Sequence, residues 1–98
     1  MKQSEKKIEK TLVKVCKEHS GLCIKLLPFS FTGLPDRMCL FRSGLIYFVE
    51  TKSTGDKPSA RQNYVHRQLK DLGFDVFKVD TVEKVHEFME YVKLMQYQ

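Results

Sequence analysis

Apolar residues recur along the chain in two rhythms. Over residues 4–20 they keep a helical spacing, with Ile8, Leu12, Val15 and Cys16 on one side, Ser4 as N-cap and Gly21 as the stop. Residues 22–27 read as a short strand whose only charge is Lys25. Residues 28–33 form a loop in which Phe29 and Phe31 pack under the sheet, stack on bases or make a subunit contact. A strand opened by Pro35-Asp36 then reverses near Ser43-Gly44 into a second strand, where Leu45, Ile46, Tyr47, Phe48 and Val49 suit burial on both faces. After turn-forming residues 53–59, Asp56 is placed to cap a helix with Pro58 in its first turn. That helix carries Tyr64, Val65, Leu69 and Leu72 inward and ends at Gly73. Residues 74–79 are a further strand, and Asp80 with Glu83 resembles a capping box. The last helix presents Val82, Val85, Met89 and Val92, with Phe88 beside them.

The order αβββαβα describes an α/β domain, a mixed four-stranded sheet flanked by helices. Its second helix is a right-handed crossover that lays the fourth strand parallel to the third. The hairpin decides which charges meet. A two-residue loop at Ser43-Gly44 sets Asp36 opposite Thr51 and turns it away from Glu50. A three-residue loop, Arg42-Ser43-Gly44, pairs Phe41 with Leu45 and Asp36 with Glu50, and offers Gly44 for the left-handed position such loops require. The second register is the expected one. It gathers Asp36, Glu50 and Lys52 on one face at one end of the hairpin, an arrangement better suited to a divalent metal than to a surface salt bridge.

At 98 residues the chain holds one domain, 1–98, and its 42% hydrophobic content is that of a folded rather than a disordered protein. No apolar run reaches membrane-spanning length and the first residues lack the apolar segment of a secretion signal. Cys16, Cys23 and Cys39 are odd in number and scattered in apolar segments, so they read as reduced core residues of a cytosolic protein, not as a disulfide or zinc framework. A net charge of +5 favours a polyanionic partner. Glu5 and Glu9 both border the apolar side of the first helix. Glu5, in the first turn, is accounted for by the helix dipole, whereas Glu9, a turn further in, is the better candidate for reaching inward.

The element order, with Ile8-Glu9-Lys10, Gly33-Leu-Pro-Asp36-Arg37, Phe48-Val-Glu50-Thr-Lys52, Lys57-Pro58 with Gln62, and Leu72-Gly-Phe74, resembles the PD-(D/E)XK nuclease superfamily. More narrowly it resembles VRR-NUC, the virus-type replication-repair nuclease family, in its small stand-alone phage form. Glu-x-Lys alone is uninformative, since Glu5-Lys6-Lys7 repeats it on a helix; the ordered combination is what carries the likeness. The resemblance implies a restriction-endonuclease-like core in which Asp36, Glu50 and the Thr51 carbonyl hold Mg²⁺ or Mn²⁺. Glu9 then supplies an outer or second-metal carboxylate, Lys52 orients the attacking water, and Gln62 holds that water or Lys52. Lys25, Arg37, Lys57 and Arg61 border such a site and would contact phosphates. By family analogy the enzyme is a homodimer that cuts branched or junction DNA, in the cytoplasm of a bacterial host if phage-encoded. The rivals are a non-catalytic nucleic-acid-binding domain that keeps the fold, and an interaction protein in which Asp36 and Lys52 form a structural ion pair.

Overall fold

Arg42–Gly44 forms a 3₁₀ turn that pairs Phe41 with Leu45, so the central hairpin takes the three-residue loop and the register that loop length dictates. The loop uses two left-handed residues, Ser43 at φ 71° and Gly44 at φ 72°, where one glycine was expected. For a serine that conformation costs about 1–2 kcal/mol.

The computed structural model describes residues 2–29 and 31–98; Met1 and Ser30, the latter inside the expected 28–33 loop, lie outside the described residues. Elements follow the expected order: α1 (Glu5–Glu18), β1 (Leu22–Lys25), β2 (Arg37–Phe41), β3 (Leu45–Thr51), α2 (Ala60–Asp71), β4 (Asp75–Val79) and α3 (Val82–Gln96). The strands lie in the order β1-β2-β3-β4, antiparallel except for the parallel β3–β4 pair that the α2 crossover makes possible.

Helix ends differ from expectation in three places. At the end of α1, Ser20 rather than Gly21 takes the left-handed position (φ 59°). Gly21 is required for space instead, because a Cβ there would stand 2.6 Å from the Phe41 ring. The cap of α2 is Ser59, not Asp56, in a complete capping box with Gln62, and Pro58 precedes the cap rather than entering the first turn. Thr81, not Asp80, caps α3 by accepting from Lys84 N. Asp80 accepts instead from Gly55 N at 3.0 Å and pairs with Lys84 at 2.9 Å. At both N-caps the hydroxyl residue stands closer to the first helical turn than the acid does and reaches the N3 amide.

Side chains alternate across β3 and divide the sheet into two unlike faces. Tyr47 and Val49, with Cys39, Phe41 and Val79, join Ile8, Leu12 and Cys16 of α1 and Val85, Phe88, Met89 and Val92 of α3 in one core. Glu50 points the other way, toward α2. This second face is only partly covered, so β3 is not buried on both sides throughout: Ile46 is 41% exposed. α2 also buries less than its apolar pattern promised. Tyr64 and Leu72 face solvent, while Val65 and His66 are its buried residues.

The loop before β2 is pressed onto α2 at Gly33, where φ is 89° and a Cβ would lie 2.8 Å from Val65 Cγ2 and 3.0 Å from the Arg61 carbonyl oxygen. We expect Gly33→Ala to cost about 2 kcal/mol, combining backbone strain with this contact. A thermal melt should read that as a loss of roughly 8–16 °C. An unchanged melting temperature would show that the loop does not depend on this approach.

Candidate active site

Glu50 is the sixth residue of a strand whose first five are Leu, Ile, Tyr, Phe and Val, and its side chain has no solvent exposure. Three neighbours meet it. Lys52, on the same side of the chain two residues on, places Nζ 3.3 Å from Glu50 Oε2. Gln62 donates from Nε2 to the same oxygen at 3.0 Å. His66, one helical turn beyond Gln62, brings Nε2 to 3.7 Å from Glu50 Oε1. Neither that nitrogen nor Glu50 Oε1 has a hydrogen-bond partner among the described residues, although both are buried. Burial first and the charge of Asp36 second push the Glu50 carboxyl up to about 7, against the opposing pull of Lys52 and Gln62. His66 moves down, chiefly because burial disfavours its charged form.

Asp36 stands just before β2, and the Arg37↔Val49 pair extended by one residue sets it opposite Glu50. Its carboxylate turns across the end of the sheet to Thr51, where Oδ2 accepts from the amide at 2.9 Å and from the hydroxyl at 2.8 Å. The fully buried Pro35 ahead of it fixes the direction from which the chain arrives. Asp36, Glu50, Thr51, Lys52 and Gln62 are thus brought together at one end of the hairpin. Gln62 differs in detail from its expected part. Its side chain bonds Glu50 rather than Lys52 and joins the helix cap to it, accepting from Ser59 N at 3.0 Å through its other end.

The first-helix acids divide. Glu9 Oε1 pairs with Arg37 at 3.1 Å and with Lys25 at 4.0 Å, on the α1 side of the sheet. Glu5 instead lies in the field of Asp36 and Lys52, and its pKa is raised by burial and then by Asp36. Of the four expected phosphate contacts, Arg37 is therefore held by Glu9 and only 11% exposed, whereas Lys25, 4.0 Å from the same oxygen, stays 57% exposed. Lys57 is exposed, and Arg61 lies over the rings of Phe31 (5.6 Å) and Tyr64 (5.7 Å) beside the site. His66 was missed in the sequence; its spacing of four from Gln62 was the available signal. The convergence of Cys16, Cys23 and Cys39, whose sulfurs all lie within 4.8 Å of one another, had no sequence signal.

Chemically this is a set of oxygen donors with one amine. A carboxylate at zero exposure with a vacant lone pair, a second carboxylate beside it and a lysine at the mouth can accept a hard cation and hold a water.

No family model matches the sequence. A candidate nuclease, p44, from Acyrthosiphon pisum secondary endosymbiont phage 1 is 36% identical over 77 residues, which cover 79% of this chain and 83% of that protein. A solved structure described as a VRR_NUC domain is similar with a TM-score of 0.82 at 27% identity, covering 90% of this chain and 97% of that one.

The raised Glu50 pKa fixes a sign for stability. Between about 4.5 and about 7 the folded protein holds a proton that the unfolded chain has released, so stability falls as pH rises through that window. The penalty is complete above about 7 and amounts to about 3 kcal/mol. With chelator present, Glu50→Gln should therefore raise stability at pH 8 by about 2–3 kcal/mol in urea unfolding. It should also flatten the dependence on pH. A variant less stable than the parent at pH 8 would contradict this.

Proposed function

The chain belongs to the VRR-NUC family of nucleases, and from that premise we propose a Mg²⁺- or Mn²⁺-dependent endonuclease that hydrolyses phosphodiester bonds in branched or junction DNA as a homodimer. The observation that carries the metal is Glu50 Oε1, a buried carboxylate oxygen with no hydrogen-bond partner among the described residues, next to a second acid whose charge opposes its ionisation. A divalent cation would remove both costs at once. Asp36, Glu50 and the Thr51 carbonyl supply the hard oxygen ligands such an ion prefers. When bound, it supplies charge stabilisation at the phosphate and acidifies a coordinated water.

The remaining work falls to the chain's own groups. Lys52 is tethered at its base by the strand and at its tip by Glu50, which leaves the ammonium able to orient the attacking water and favour its hydroxide form. Gln62 is a positioning residue: it fixes Glu50 by a bond that the capping box makes rigid. The field of Asp36 and Lys52 at Glu5 supports Glu5 as the helical acid facing the site, whereas Glu9 would first have to release Arg37. Lys57 and Arg61 are the cations best placed for phosphate contact, with Lys25 and Arg37 adding to the positive field behind them.

Support for a dimer comes from the sheet face that α2 leaves open. Leu22, Leu40 and Ile46 align in register across β1, β2 and β3, and Ile24, Met38 and Phe48 form the next row. Leu22 is 63% exposed, Ile24 38% and Ile46 41%. An aligned apolar surface at the edge of a sheet suits a self-complementary contact, and a twofold there would give two sites for two strands.

The test is cleavage of branched and linear duplexes of matched sequence, with and without Mg²⁺ or Mn²⁺. Branched DNA should be cut faster, and only with metal. Asp36→Asn and Lys52→Ala should each slow cutting by roughly 10²- to 10³-fold. Glu5→Gln should cost more than Glu9→Gln. Binding without cutting would instead support a binding domain, and cutting indifferent to Asp36→Asn would remove the metal site from the account. Sedimentation of the 11.5 kDa chain should give a dimer, converted to monomer by Ile24→Lys with circular dichroism unchanged. A dimer that survives this change places its contact elsewhere.

A further inference from the structure

Outside the oxygen-rich site, one cluster of reactive side chains stands without a task. Cys16 of α1, Cys23 of β1 and Cys39 of β2 converge on the α1 side of the sheet, their Sγ atoms all within 4.8 Å of one another and those of Cys23 and Cys39 at 3.9 Å. All three are free thiols. Cys23 and Cys39 are direct cross-strand partners, and the docking of α1 brings in Cys16. We propose that these three sulfurs form a three-coordinate thiolate site for a soft metal ion, copper(I) being the ion class it fits.

The spacing carries the assignment. Three sulfurs bound at about 2.3 Å to one trigonal ion stand roughly 4.0 Å apart, so the observed separations need little adjustment. Thiolates select soft ions over Mg²⁺ or Mn²⁺, so the site does not compete for the ion of the oxygen site. Zinc in a closed structural site takes a fourth ligand, and no fourth Cys, His, Asp or Glu joins the cluster among the described residues. Three thiolates around a monovalent ion leave two negative charges in a mostly buried place, which demands a cation nearby. Arg37 is that cation. Its Nε is buried without a hydrogen-bond partner. Cys23 is drawn toward its ionised form first by hydrogen bonding with Cys16 and Cys39 and then by the Arg37 charge. The other two thiols are pushed up and give up their protons only to the metal. Cys16 and Cys39 have no solvent exposure, but Cys23, on the edge strand, is half-buried and provides the way in. Binding replaces the thiol protons by three metal–sulfur bonds, with no change of oxidation state.

The experiment uses the full, reduced chain under argon, titrated with copper(I) against a chromophoric copper(I) chelator. The protein should withdraw one equivalent, gain a sulfur-to-metal absorption in the ultraviolet and melt at a higher temperature. Cys23→Ser, at the half-buried position, should weaken binding by at least the roughly hundredfold that disturbing a ligand's own hydrogen-bond partner costs, with circular dichroism unchanged. Should that variant fail to fold, alkylation of the wild-type chain decides: Cys23 should be modified in the free protein and protected in the loaded one. Failure to withdraw copper(I), withdrawal undiminished in a folded Cys23→Ser protein, alkylation indifferent to loading, or uptake of zinc but not copper(I) would each overturn the site. None of these readouts depends on DNA cleavage.

Discussion

A carboxylate with no solvent exposure at the end of β3 is costly to bury, and its neighbours are arranged around that cost. Glu50 receives Lys52 from just past the end of its own strand and Gln62 and His66 from α2, so strand and crossover helix are joined through one ionisable group. Gln62 explains why the helix starts where it does. With Ser59 as cap, position 62 is N3, where the amide side chain closes the capping box and still reaches Glu50. A start at Asp56 would have taken the N3 role away from Gln62 and the bond to Glu50 with it. The same polar task explains why α2 buries so little apolar surface: Val65 and His66 go inward, and Tyr64 and Leu72 stay in solvent.

The second acid depends on the hairpin. A loop one residue shorter would shift β2 against β3 and exchange the faces of every side chain on it. Arg42–Gly44 prevents this at the expense of a left-handed Ser43. Asp36 is then held from the partner strand by two bonds from Thr51, close enough for its charge to act on both Glu50 and Glu5. Local strain in a surface turn thereby fixes the spacing of acids at the opposite end of the strands.

Much of this was legible because it follows from short-range rules. Element order came from apolar periodicity, and the register followed from counting three residues between Phe41 and Leu45. The meeting of Asp36, Glu50 and Lys52 followed from that register. The caps fall among neighbouring candidates: Ser59-x-x-Gln62 is itself a capping-box pattern, and it takes the helix start from the acid and proline before it. What the sequence could not disclose depends on docking angles. Whether Glu5 or Glu9 faces the site turns on how α1 crosses the sheet, and Glu9 is drawn off by Arg37. The three sulfurs meet because β1 pairs in one register and α1 lies across it, and neither is written in the spacing of residues 16, 23 and 39.

Period-two alternation has a larger consequence here than the burial of a core. Asp36 and Arg37 are consecutive, yet they serve opposite faces, one at the oxygen-lined end beside α2 and the other beside the sulfurs under α1. Glu50 and Val49 divide in the same way. Hard and soft donors are therefore kept apart by the pleat itself, although only a few residues separate them along the chain. Arg37 stands at this boundary. It is the counter-charge for Glu9, and its charge also bears on Cys23, so one guanidinium serves an oxygen acid and a sulfur at once.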